Sequence, residues 1–127
     1  MSTELTHTEA GKLLRLMDSG EVSSADVAAA HLDRIEAADD RIGAFLSVDR
    51  EQVLADAAAI DRKRANGESL GPLAGLPVAV KDNICASNQK TTCASRMLAD
   101  FVPPYDAHAI EQLRAADAVL LGRTNLD

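Results

Sequence analysis

Apolar residues recur first at helical spacing. Ala10, Leu13, Leu14 and Met17 fall at i, i+3, i+4 and i+7, which is one face of a helix. Thr6 and Glu9 stand three apart ahead of it in the form of a capping box, and Gly20 is placed to end it. A second helix start is expected at residues 23–26, followed by a stripe of Ala28, Leu32 and Ile35 that the acidic pair Asp39 and Asp40 should break. Residues 44–48 read as a short strand or an extended connector. A third helix is expected over 50–65, with Val53, Ala57 and Ile60 inward and Gly67 as its stop.

The period changes after the turn-rich stretch 66–72. Residues 71–84, GPLAGLPVAVKDNI, contain a short apolar run bounded by Gly and Pro, which predicts a buried strand ending at Lys81. Pro103 and Pro104 force extended backbone. Asp106 is expected to cap a helix over 107–116, with Ile110 and Leu113 facing inward, and 118–122 reads as a second buried strand. Strand, helix and strand in that order predict a parallel βαβ unit with helices on both faces of a sheet. The fold class expected is therefore α/β, with residues 1–67 mainly helical and 71–127 forming the start of the α/β core. Two strands make no stable parallel sheet, so the expectation is the N-terminal, truncated part of one larger domain.

Composition narrows this picture. Of 127 residues 46% are hydrophobic but only 2% aromatic, so the core must be built from Ala, Leu, Val and Ile. Thirteen basic against twenty acidic residues leave a net charge of −7, which argues against a direct grip on a nucleic-acid backbone. The first residues carry neither a basic nor an apolar leader segment and no run reaches membrane-span length, so the expected location is cytoplasmic. Cys85 and Cys93 suit a reducing compartment and read as buried, inert thiols. His7, His31 and His108 are scattered without metal-ligand spacing. Gly71 and Gly75 lack the Gly-Lys-Ser/Thr adjacency of a phosphate loop, and residues 91–95 read as a capping and turn segment.

Lys81 is the candidate for chemistry. A cation at the carboxyl end of a strand stands where open α/β sheets place their ligands. Alternation along the strand would put Lys81 and Asn83 on one face and Asp82 on the other. That separation matters, because a neighbouring carboxylate holds an amine protonated whereas apolar burial favours the neutral base. Pattern alone leaves two readings open: Lys81 solvates a strand end, or it is a catalytic base.

The stretch 71–84 resembles the opening motif of the amidase signature family. Residues 89–98 (QKTTCASRML), 101–107 (FVPPYDA) and 118–127 (AVLLGRTNLD) extend the resemblance over nearly the whole chain, with Asn88 a minor departure. Within the family it runs to the glutamine-hydrolysing members that serve tRNA-dependent amidotransferases. The resemblance implies a mixed sheet between helical layers and a Ser–cis-Ser–Lys triad in which Lys81 is the base. It implies glutamine as the amide substrate, with ammonia passed to B and C partner subunits that use ATP and Mg to convert misacylated Glu-tRNA(Gln) into Gln-tRNA(Gln). It gives this chain no cofactor of its own, no direct contact with nucleic acid and no membrane association. Neither Ser87 nor Ser95 matches the triad serines in context, so the chain is expected to hold the base without its nucleophile and to be inactive alone. The alternatives are a general amidase acting on another small amide, and a non-catalytic assembly module.

Overall fold

A computed structural model describes residues 2–126; Met1 and Asp127, the last residue of the fourth motif, lie outside the described residues. A helical turn, α1 (Ser2–Leu5), precedes helices α2 (Ala10–Asp18) and α3 (Ser24–Ile42). Strand β1 (Phe45–Ser47), helix α4 (Arg50–Ala65) and strand β2 (Pro77–Lys81) follow, then helix α5 (His108–Ala115) and strand β3 (Val119–Thr124). The sheet is mixed, in the order β1-β3-β2, with β2 parallel and β1 antiparallel to β3. The expected βαβ unit is thus β2–α5–β3, and residues 45–47 are strand rather than connector.

Alternation along β3 divides the core. Val119 and Leu121 pack with Ala28 and Leu32 of α3 and Val53, Ala57 and Ile60 of α4. Leu120 points the other way, joining Val80 of β2 and Ile110 of α5. A third cluster ties Leu13 and Met17 of α2 to Val27 of α3. The sheet therefore lies between two helical layers, and its middle strand is buried on both faces, as parallel pairing with helical cover requires. Side chains of the Ala, Val, Leu and Ile type fill the space that aromatics occupy elsewhere.

Helix ends show where local pattern and outcome part. Ser23 and Asp26 form a reciprocal capping box, and Asp49 accepts from the Gln52 amide at the start of α4. The box expected at Thr6 and Glu9 does not form. Ser2–Leu5 is already helical, so the Thr6 and Thr8 hydroxyls instead donate to the carbonyls of Thr3 and Glu4. The acidic pair does not break α3 either. Asp39 stays helical and its carboxylate collects the amides of Ala44 and Phe45 beyond the end, where Gly43 is left-handed at φ +70°. Asp106 is not the cap of α5. Ala107 occupies that position, and the Asp106 carboxylate is engaged by Ser87 and Arg114.

Candidate active site

Lys81 is the last residue of β2, half-buried and in register with Thr124 at the end of β3. Both parallel strands thus finish together, and the loops beyond them meet at one edge of the sheet.

The approach to the strand is fixed by main-chain contacts. The amides of Leu73 and Gly75 donate to the carbonyls of Ala116 and Asp117 at 3.0 and 2.9 Å. Gly71 N–H donates to the Asp117 carboxylate at 2.7 Å, and Lys63 Nζ reaches its other oxygen at 3.1 Å. The Gly71 amide, with Lys63 adding to it, holds the Asp117 carboxyl below the usual carboxylate range against the opposing effect of burial. Two glycines are required here. A Cβ on Gly71 would overlap the Ala116 carbonyl carbon, and one on Gly75 would overlap Ser24 Oγ, with φ at +84°. The Gly and Pro residues of 71–77 therefore set where β2 begins against β3, and so where Lys81 ends.

The exit is fixed by side chains. Strand alternation stops at Lys81: Asp82 and Asn83 form a turn, so the shared face expected for Lys81 and Asn83 is not extended by strand geometry, and Asn83 is exposed. The Asp82 side chain is buried, as is its partner Arg123, whose Nε donates to Asp82 Oδ1 at 3.2 Å. Asp82 Oδ2 accepts from the Thr92 amide at 3.1 Å and from the Thr92 hydroxyl. Arg123 Nη2 donates to Thr91 Oγ1 at 3.0 Å and to the Ile84 carbonyl. Main-chain bonds complete the enclosure: Asp82 N–H to Thr124 O, Ile84 N–H to Lys81 O and Cys93 N–H to Asp82 O. Cys93 and Ala94 are both left-handed, at φ 51° and 55°, conformations that side chains other than Gly and Asn rarely adopt.

Arg123, Thr91 and Thr92 are the site residues that sequence reasoning missed. The strand expected over 118–122 runs to Thr124 and carries a buried guanidinium that the apolar pattern did not anticipate, and 91–95 does more than cap a turn. The one available signal was a charged residue directly continuing an apolar run. Cys85 is half-buried, its Sγ 3.9 Å from Tyr105 Oη, and Cys93 is exposed at a left-handed turn position whose amide bonds to the Asp82 carbonyl, so neither is a core thiol. Ser87 Oγ donates to Asp106 at 2.9 Å, a structural engagement in which the Ser87 amide does most to hold the Asp106 carboxyl below its ordinary range.

A cleft of about 530 Å³ opens between the start of α4, the 87–90 turn and β3, with Gln52, Gln89, Arg114 and Arg123 among its walls. Lys81 does not line it. The buried Arg123 Nη1 and Gln89 Oε1 have no hydrogen-bond partner among the described residues. Among those residues no group of three or more His, Cys, Asp or Glu could hold a metal ion, and no helix is long and apolar enough to cross a membrane.

Residues 26–127 match the family pattern described as Amidase. The chain is 52% identical over 124 residues, 98% of its length, to the A subunit of the glutamyl-tRNA(Gln) amidotransferase of Moorella thermoacetica. It spans 26% of that relative, about a quarter of the length of the curated relatives it matches. A peptide amidase from Stenotrophomonas maltophilia superposes with a TM-score of 0.88 at 39% identity, over 94% of this chain and 25% of the other. A fatty acid amide hydrolase reaches a TM-score of 0.91 over 99% of this chain and 22% of its own; at 22% identity that likeness is one of fold alone.

Proposed function

Since the chain belongs to the amidase family, we propose that it is the N-terminal part of a glutamine-hydrolysing amidase domain and that Lys81 is its catalytic base. The observation that carries this reading is the likeness to amidotransferase relatives over nearly the whole chain, joined to the position of a lysine at the carboxyl end of β2. In a Ser–cis-Ser–Lys arrangement the neutral amine takes the proton of the bridging serine, which activates the nucleophilic serine toward the side-chain amide of glutamine. Backbone amides would stabilise the oxyanion, and ammonia would leave as the acyl-enzyme forms.

Both serines would come from outside these residues. Ser87 is committed to Asp106, which supports leaving it out of the triad. Residues 1–127 alone therefore release no ammonia from glutamine. With B and C subunits present, ammonia would pass to a partner that uses ATP and Mg to amidate misacylated Glu-tRNA(Gln). The net charge of −7 supports leaving tRNA contact to those partners, and a cytoplasmic setting fits the translation role.

A second reading, a general amidase acting on another small amide, is favoured by the 39% identity to a peptide amidase. The test is ammonia release by the polypeptide expressed from the complete reading frame, offered free glutamine or a peptide amide, with and without partner subunits. The first reading expects glutamine turnover that rises when the partners and Glu-tRNA(Gln) are added. Turnover of the peptide amide alone, indifferent to partners, would replace it with the second.

A further inference from the structure

We infer that Arg123 is a positioning residue for Lys81, acting through Asp82 and the 91–94 loop; the inference rests on Lys81 being the base. One guanidinium makes three separate ties to the chain that leaves Lys81: Nε to the Asp82 carboxylate, Nη2 to the Ile84 carbonyl, and Nη2 to the Thr91 hydroxyl. Ile84 in turn donates its amide to the Lys81 carbonyl at 3.0 Å. The main chain on the far side of Lys81 is therefore anchored to the neighbouring parallel strand by a side chain, as well as by the strand ladder.

Charge and burial give this clasp its meaning. Arg123 and Asp82 are each 2% exposed at the side chain. Desolvating such a pair costs about as much as the attraction returns, so apolar residues of similar volume would hold the strands together as well or better. What an apolar pair cannot do is direct a turn. Both Asp82 oxygens are occupied by Arg123 and Thr92, which keeps that carboxylate turned into the protein. Thr92, so bonded, leads into two successive left-handed residues, Cys93 and Ala94, and the Cys93 amide donates to the Asp82 carbonyl; such a conformation persists only where its surroundings impose it. The role of Arg123 is geometric, and a proton-transfer base is sensitive to such geometry.

The test uses the polypeptide expressed from the complete reading frame, assembled with its partner subunits, and glutamine as substrate. Rates are normalised to folded protein by thermal unfolding. Arg123→Gln should lower kcat by about a hundredfold with KM within about threefold, the signature of a misplaced catalytic group. Arg123→Lys, which keeps the charge for Asp82 but loses the fork, should recover part of that loss. Thr92→Val removes one hydroxyl and should lower kcat by about three- to tenfold, with the protein still fully folded at the assay temperature; it carries the test if Arg123→Gln does not fold. A kcat loss that merely tracks loss of folded protein, a change confined to KM, or wild-type kcat in the Thr92 and Arg123 variants would overturn the positioning role. Lys81→Met separates the two levels. If it is inactive while those variants keep wild-type kcat, only the positioning role fails; if it is active, the base assignment fails and takes the positioning role with it.

Discussion

Lys81 stands between two regions that solve the same problem by different chemistry. On its approach, residues 71–76 are fixed to 116–117 by amide–carbonyl bonds and by the Asp117 carboxylate, and Gly71 and Gly75 permit contacts with Ala116 and Ser24 too close for any Cβ. On its exit, residues 82–95 contain no regular element, and their path is set by a buried carboxylate, a buried guanidinium and two threonines. The approach depends mainly on backbone bonds and on absent side chains, with the Asp117 carboxylate added at Gly71, whereas the exit depends on side chains throughout. A strand can be placed by backbone alone, whereas a loop that must hold left-handed residues at a strand end needs directed polar contacts.

The contrast breaks most visibly at the exit. Arg123→Met leaves the Asp82 carboxylate buried and unpaired, and should cost about 3–5 kcal/mol in chemical denaturation. Replacing Asp82 and Arg123 together by apolar residues of matched volume should restore most of that stability and none of the activity. On the approach, Gly75→Ala meets both a positive φ and the Ser24 and Met17 side chains, and should cost more than about 1 kcal/mol by the same measurement. Thr92→Val removes one hydrogen bond to a charged acceptor and should cost about 1.5 kcal/mol or somewhat more.

Acid gives the smallest effect and touches both regions. Asp117 on the approach and Asp106 on the exit have carboxyls depressed below their ordinary range in the folded protein. Each therefore adds stability that is fully present above the unfolded-state value of about 3.9 and is lost as pH falls through the lower folded value. Asp117→Asn and Asp106→Asn should each flatten the fall in melting temperature below about pH 4. A fall as steep as that of the parent protein would show that the carboxylate in question contributes nothing to acid sensitivity.

Sequence legibility divides along the same line. The helix over 50–65, the start of α3 and the β2–α5–β3 unit were readable because apolar period and local caps act over a few residues. Gly71 and Gly75 marked only the boundary of the run, because the close contacts they permit are with Ala116 and Ser24, far away in sequence. Asp39, Asp106 and Arg123 were not readable. Each looks local, as a helix breaker, an N-cap or a charged strand end, yet each is spent on a partner beyond the helix end, 19 residues away at Ser87, or 41 residues away at Asp82. The position of Lys81 was legible because it depends on the strand; the clasp around it was not, because it depends on which strands become neighbours.

The central claim is that the strand-end lysine is a base. Its most direct test is the rate of ammonia release from glutamine by the polypeptide expressed from the complete reading frame, with partner subunits added and Lys81→Met in place, a change that keeps the length of the side chain out to Cε and removes the amine. A base at this position predicts a fall in kcat of at least about a thousandfold with the melting temperature within a few degrees of the parent. Turnover within about tenfold of the parent would contradict it.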